Sequence, residues 1–152
     1  MEYQIEIREI EPVRVAYIRY RGMAAEANKV FPKVFQAIRG RADGAPFFNY
    51  VSMDPGSGMG EIELCVPTAE NPGGNGVEVK DMPRVRALCV THTGPYGALK
   101  HAYDAIDRYA EESGLALVRP FREVYIKGPG MLFKGNPKNY ITEIIFPVGE
   151  ES

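Results

Sequence analysis

The chain repeats itself, and that constrains its fold more than any single motif. Residues 7–22 (IREIEPVRVAYIRYRG) align with residues 79–94 (VKDMPRVRALCVTHTG) at a shift of 72, setting Arg8 on Lys80, Glu9 on Asp81, Val13-Arg14 on Val85-Arg86 and Gly22 on Gly94. Pro46-Phe47 falls on Pro120-Phe121 and Pro55 on Pro129 at a shift of 74. Residues 62–70 (IELCVPTAE) match residues 142–150 (TEIIFPVGE) at a shift of 80, placing Glu63, Pro67 and Glu70 on Glu143, Pro147 and Glu150. Each match is weak, but three in the same order describe a duplicated unit. The pseudo-repeats span about 3–70 and 77–150, joined by the linker 71–76 (NPGGNG), in one domain covering residues 1–152. The shift grows by eight residues, six of them in the segment around Lys127 to Tyr140.

Each half reads alike. Val13 to Tyr20 and Val85 to Thr91 have the β-branched and aromatic content of strands, ended by Gly22 and Gly94. In the second half Leu99, Ala102, Tyr103, Ile106, Tyr109 and Ala110 recur at three and four, which predicts a helix over roughly Tyr96 to Ser113 with Gly114 as its C-cap. The first half predicts a helix over about Ala24 to Arg39, kinked or started late by Pro32. Two strands close each half: Phe47 to Val51 with Glu61 to Val66, and Phe121 to Lys127 with Tyr140 to Phe146. The expected fold class is α+β: duplicated β-α-β-β units forming one antiparallel sheet, two helices on one face and a ligand groove between the halves.

Composition removes several classes of function. Eighteen Lys+Arg against twenty Asp+Glu leave a net charge of -2, so the basic surplus of a duplex binder is missing and no direct nucleic-acid partner is expected. No apolar run approaches the ~20 residues that span a bilayer, and Met1-Glu2-Tyr3-Gln4-Ile5 is not a signal peptide. The expectation is a cytoplasmic protein with no membrane partner. Cys65, Cys89, His92 and His101 lack metal-ligand spacing, so neither a metal nor any other cofactor is expected. The Gly56-Ser57-Gly58-Met59-Gly60 run precedes a strand rather than a helix, which argues for a hairpin and against a phosphate loop.

One carboxylate stands out. In the strand from Phe121 to Lys127, Phe121, Glu123 and Tyr125 share one face while Arg122, Val124 and Ile126 share the other. Glu123 therefore projects between two rings. The shift of 74 makes Asn49 its mate, beside Phe47. A carboxylate between aromatic walls suits an organic cation with a hydrophobic body, because ring faces and an incompletely solvated anion both attract positive charge. Tyr17 lies in a strand that can reach the same groove, and Met131-Leu132-Phe133 is an apolar loop tip suited to a lid or an interface.

The duplication, the mid-chain linker and the strand Pro120-Phe121-Arg122-Glu123-Val124-Tyr125-Ile126 resemble the GyrI-like small-molecule-binding domain, the effector-binding domain of AraC- and MerR-type multidrug regulators. The resemblance runs from about Tyr3 to Val148. It implies a small hydrophobic, cationic ligand held by Glu123 with Tyr125, Phe121, Phe47, Asn49, Tyr17 and Phe133, for sequestration or for sensing through a separate regulatory partner protein. It also implies an alternative: hydrolysis of cyclopropanoid or ester-like compounds, with Glu123 and Tyr125 as the catalytic pair. A third, lesser implication is inhibition of gyrase by protein–protein contact. Regulators of this kind carry a helix-turn-helix domain ahead of the binding domain. Here the first strand begins almost at residue 1, so the chain by itself is not expected to act as a transcription factor.

Overall fold

A computed structural model describes residues 3–54, 56–74, 76–127 and 136–150. The fold is α+β. Among the described residues the nine strands are β1 (Ile5–Ile10), β2 (Val13–Met23), β3 (Phe47–Met53), β4 (Met59–Pro67), β5 (Glu78–Met82), β6 (Val85–Thr93), β7 (Leu115–Leu117), β8 (Phe121–Lys127) and β9 (Ile141–Glu150). The helices are α1 (Ala24–Ala27), α2 (Phe31–Ala37) and α3 (Leu99–Ser113). The chain divides into two compact units, Glu11–Val85, and Met1–Ile10 together with Arg86–Ser152.

In the unit Glu11–Val85 the strands lie in the order β3-β4-β2-β5. Register sets Phe48 against Leu64 and Tyr50 against Ile62, and their side chains share the face on which Phe31 of α2 stacks over Phe48 at 5.4 Å. Val34 and Ile38 complete this core. Pro32 occupies the first turn of α2, where its missing N–H costs nothing, so the helix expected over Ala24 to Arg39 is broken into α1, a 3-10 turn at Asn28–Val30 and α2.

In the other unit the order is β1-β6-β9-β8, with β7 on β9. Helix α3 buries Leu99, Ala102, Ile106 and Ala110, and Leu99 and Ile106 each contribute roughly 1.5–3 kcal/mol by leaving water. Gly114 ends the helix in the left-handed conformation, φ 67°. Each sequence repeat opens with a strand that the β-α-β-β pattern does not predict, and the second repeat also adds β7. β1 and β5 precede β2 and β6, and Pro12 and Pro83 punctuate the two junctions. These extra strands are exchanged: β1, from the first repeat, lies beside β6, and β5, from the second, pairs with β2.

The registers also correct the internal alignment. Tyr20–Ile62–Tyr50 form one cross-strand row in the first repeat, and His92–Thr142–Tyr125 form the matching row in the second. One row along, Leu64 faces Phe48 and Ile144 faces Glu123. Both β3 and β8 shift register just after the tyrosine, at Tyr50/Ser52 and at Tyr125/Lys127. The shift on this strand is therefore 75, not 74. Glu123 corresponds to Phe48, and Asn49 corresponds to Val124. One residue of slip moves a side chain to the other face, so Asn49 is not the mate of Glu123.

Candidate functional site

Strand β8 alternates, and Phe121, Glu123 and Tyr125 project toward α3. Glu123 is 8% exposed. The Tyr125 hydroxyl donates to Glu123 Oε1 at 2.7 Å, and the Tyr103 hydroxyl of α3 donates to Oε2. Two phenols from two elements thus hold one carboxylate. Tyr125 reaches it because residues two apart on a strand share a face; Tyr103 reaches it from one turn below the buried Leu99.

Rings surround this group. Phe121 stacks on Phe146 at 4.4 Å and meets Tyr103 edge-on at 5.7 Å. Tyr96 packs 5.7 Å from Tyr125 and 5.2 Å from Tyr140. Burial, with the neighbouring Tyr140 and Glu123 adding to it, pushes the Tyr96 hydroxyl up to about 12. It is therefore a neutral phenol across the physiological range. The site is a nearly dry carboxylate among phenol hydroxyls and aromatic faces, an environment that favours positive charge.

The remaining residues proposed from sequence lie elsewhere. Phe47, Asn49 and Tyr17 sit on the face of the Glu11–Val85 sheet opposite Phe48, around Glu63. Asn49 Nδ2 donates to Glu63 Oε1 at 2.9 Å, Lys80 Nζ donates to the same oxygen at 2.5 Å, and Arg19 donates to Oε2 at 3.0 Å. Lys80 also lies 4.5 Å from the Tyr17 ring centroid, and the Tyr17 hydroxyl donates to Glu78. Burial raises the Glu63 carboxyl, but the hydrogen bonds from Lys80, Asn49 and Arg19 outweigh it and hold the group below the usual range. This is a structural ion network. The second repeat has a counterpart, since Arg8 and Glu143, the sequence mates of Lys80 and Glu63, are also paired. Phe133 lies outside the described residues.

The sequence places Tyr103 on the apolar stripe of its helix and does not reveal its bond to Glu123. A signal was available: at the shift of 72 Tyr103 falls on Phe31, so one repeat carries a hydroxyl where the other carries plain hydrocarbon. Two clefts on the same unit, of about 630 and 550 Å3, are lined by Tyr3 and Ile5 with His101, Asp104 and Arg108, and by Gln4, Glu6, Cys89 and Glu143. Glu123, Tyr103 and Tyr125 are not among their lining residues. No group of His, Cys, Asp and Glu suited to a metal occurs among the described residues. No helix among them is long and apolar enough to cross a membrane.

The model of the GyrI-like small molecule binding domain matches residues 3–149. The chain belongs to that family. Among solved structures, this GyrI-like chain is similar to the C-terminal domain of EcmrR, at 26% identity and a TM-score of 0.84, covering 99% of this chain and 100% of that one. In the structure of EcmrR with DNA the figures are 25% and 0.82, with 98% of this chain covered but 58% of that one, so the chain spans little more than half of that relative. A hydrolase from Listeria innocua (12% identity, TM-score 0.73, 96% and 92% covered) and SAV2435 bound to tetraphenylphosphonium (15%, 0.59, 98% and 94%) share the fold. No curated protein matches.

Proposed function

We propose that this GyrI-like domain binds lipophilic organic cations, with Glu123 as the charge that selects them, and that it serves to sequester or to sense such compounds. One observation carries the reading: a buried carboxylate accepts from the hydroxyls of Tyr103 and Tyr125 within a wall of aromatic rings. The two phenols hold the carboxylate in place, and a cation arriving at it gains Coulomb attraction poorly screened by water and contacts with ring faces. Because Glu123 is 8% exposed, entry requires a ring to move. Tyr96 and Tyr103, both half-buried, are the neighbours best placed to do so.

Tetraphenylphosphonium, the compound bound to SAV2435, is a suitable probe, and tetraphenylborate is its anionic counterpart of the same shape. Titration calorimetry on the wild type should show binding of the phosphonium and not of the borate. Glu123→Gln should weaken the phosphonium by about tenfold or more. Affinities of wild type and Glu123→Gln within threefold of each other would remove the charge from the account.

Hydrolysis by the same pair is the less favoured reading. A general base must reach a water, and both Glu123 oxygens already accept tyrosine hydroxyls. Turnover of a panel of esters and activated cyclopropanes above the buffer rate, lost in Glu123→Gln, would reverse this order.

A further inference from the structure

The two repeats provide an internal control for what the fold requires. Where the Glu11–Val85 unit has Phe31, Phe48 and Ile62, the other unit has Tyr103, Glu123 and Thr142. The first set is plain hydrocarbon and buried. At these positions the architecture needs only apolar volume, and the second repeat carries oxygen at all three. Two of those oxygen-bearing groups satisfy each other, Tyr103 on Glu123. The third does not: Thr142 is 0% exposed and its Oγ1 has no hydrogen-bond partner among the described residues.

A buried hydroxyl without a partner destabilises a fold relative to the isosteric valine, and the Ile62 position shows that an aliphatic side chain fits there. Thr142 sits between Tyr125 and His92 in register. Its neighbours are already committed. The Tyr125 hydroxyl is on Glu123, and the two His92 ring nitrogens lie 2.9 Å from the Tyr3 hydroxyl and 3.3 Å from the Pro95 carbonyl oxygen. Directly opposed side chains on neighbouring strands lie ~5 Å apart and diagonal ones roughly 7–8 Å. Thr142 is diagonal to Glu123 and on the same face.

We propose that Thr142 is the second polar contact of the Glu123 site, so that the ligand class is lipophilic cations carrying a hydroxyl or similar hydrogen-bonding group about one aromatic ring away from the charge. This rests on the reading of Glu123 given above. Thr142 Oγ1 bonds that group, and the rings of Tyr125 and Tyr96 flank the body between the two ends.

The test uses three phosphonium salts: tetraphenylphosphonium, and triphenylphosphoniums whose fourth ring bears a para-hydroxymethyl or a para-ethyl group. The wild type should prefer hydroxymethyl over ethyl by about fivefold, the worth of one neutral hydrogen bond. In Thr142→Val the ratio should fall to near one, with tetraphenylphosphonium affinity unchanged. An unchanged hydroxymethyl-to-ethyl ratio in Thr142→Val, while tetraphenylphosphonium still binds and still depends on Glu123, overturns the role of Thr142 alone. Absence of phosphonium binding to the wild type, or binding indifferent to Glu123→Gln, overturns the underlying reading and this inference with it. Equal weakening of all three salts in Thr142→Val marks a packing role and also overturns the proposal.

Discussion

Glu63 and Glu123 are two buried carboxylates held in different ways. Glu63 is met by Lys80 and Arg19 as well as Asn49, which fixes its charge and its geometry. Glu123 accepts from the phenols of Tyr103 and Tyr125, which fix its geometry. The same field acts on Tyr96, whose hydroxyl is pushed up to about 12, first by burial, then by Tyr140 and Glu123. A phenol whose folded value exceeds the ordinary 10 contributes stability that is fully present below pH 10 and lost as pH rises through 12. Denaturation midpoints measured from pH 9 to 12 should therefore fall, and Tyr96→Phe should flatten that decline. In an ultraviolet titration Glu123→Gln should also move the ionisation of Tyr96 downward. At this scale the sequence made Glu123 and its flanking rings legible through strand alternation, because alternation is local. Tyr103 was not legible from its own helix, since a tyrosine on an apolar stripe looks like packing until the strand opposite is known.

Among the elements, β3 and β8 decide which side chains meet. Their matched register shifts, after Tyr50 and after Tyr125, mark them as equivalent strands one residue away from the sequence alignment. Sequence identity at Pro46-Phe47 and Pro120-Phe121 pulled the alignment the other way, and on a strand that single residue sent Asn49 to the wrong face. Helices carry a different tolerance. The α3 stripe was readable because 3.6-residue periodicity survives small errors at the ends, and its stop was readable because Gly114 suits a left-handed cap. A Cβ added at Gly114 meets nothing within 4 Å, so Gly114→Ala isolates backbone conformation. It should cost about 1 kcal/mol, seen as a drop of roughly 2–4 °C in Tm, with phosphonium affinity preserved.

Over the whole molecule, the repeats in the sequence are not the units of the structure. β1 belongs with the second repeat and β5 with the first. A fragment cut at the linker, residues 3–70, lacks β5 and leaves one side of β2 unpaired; a fragment of residues 11–85 keeps the order β3-β4-β2-β5 complete. Amide dispersion in NMR spectra should accordingly be greater for 11–85 than for 3–70, and equal dispersion would show that the exchanged strand adds nothing to the unit's stability. The units also differ at matched positions: one buries hydrocarbon at Phe31, Phe48 and Ile62, where the other carries Tyr103, Glu123 and Thr142.

The α+β class, the α3 stripe and the face of Glu123 were legible in the sequence itself, because each depends on periodicity within a few residues or on likeness between distant segments. Strand exchange, the register of β3 and β8, the pairing of Tyr103 with Glu123 and the stranded hydroxyl of Thr142 were decided only in three dimensions. Those depend on which strands lie side by side and on what a buried polar atom finds across the sheet, and neither is encoded in the order of neighbouring residues.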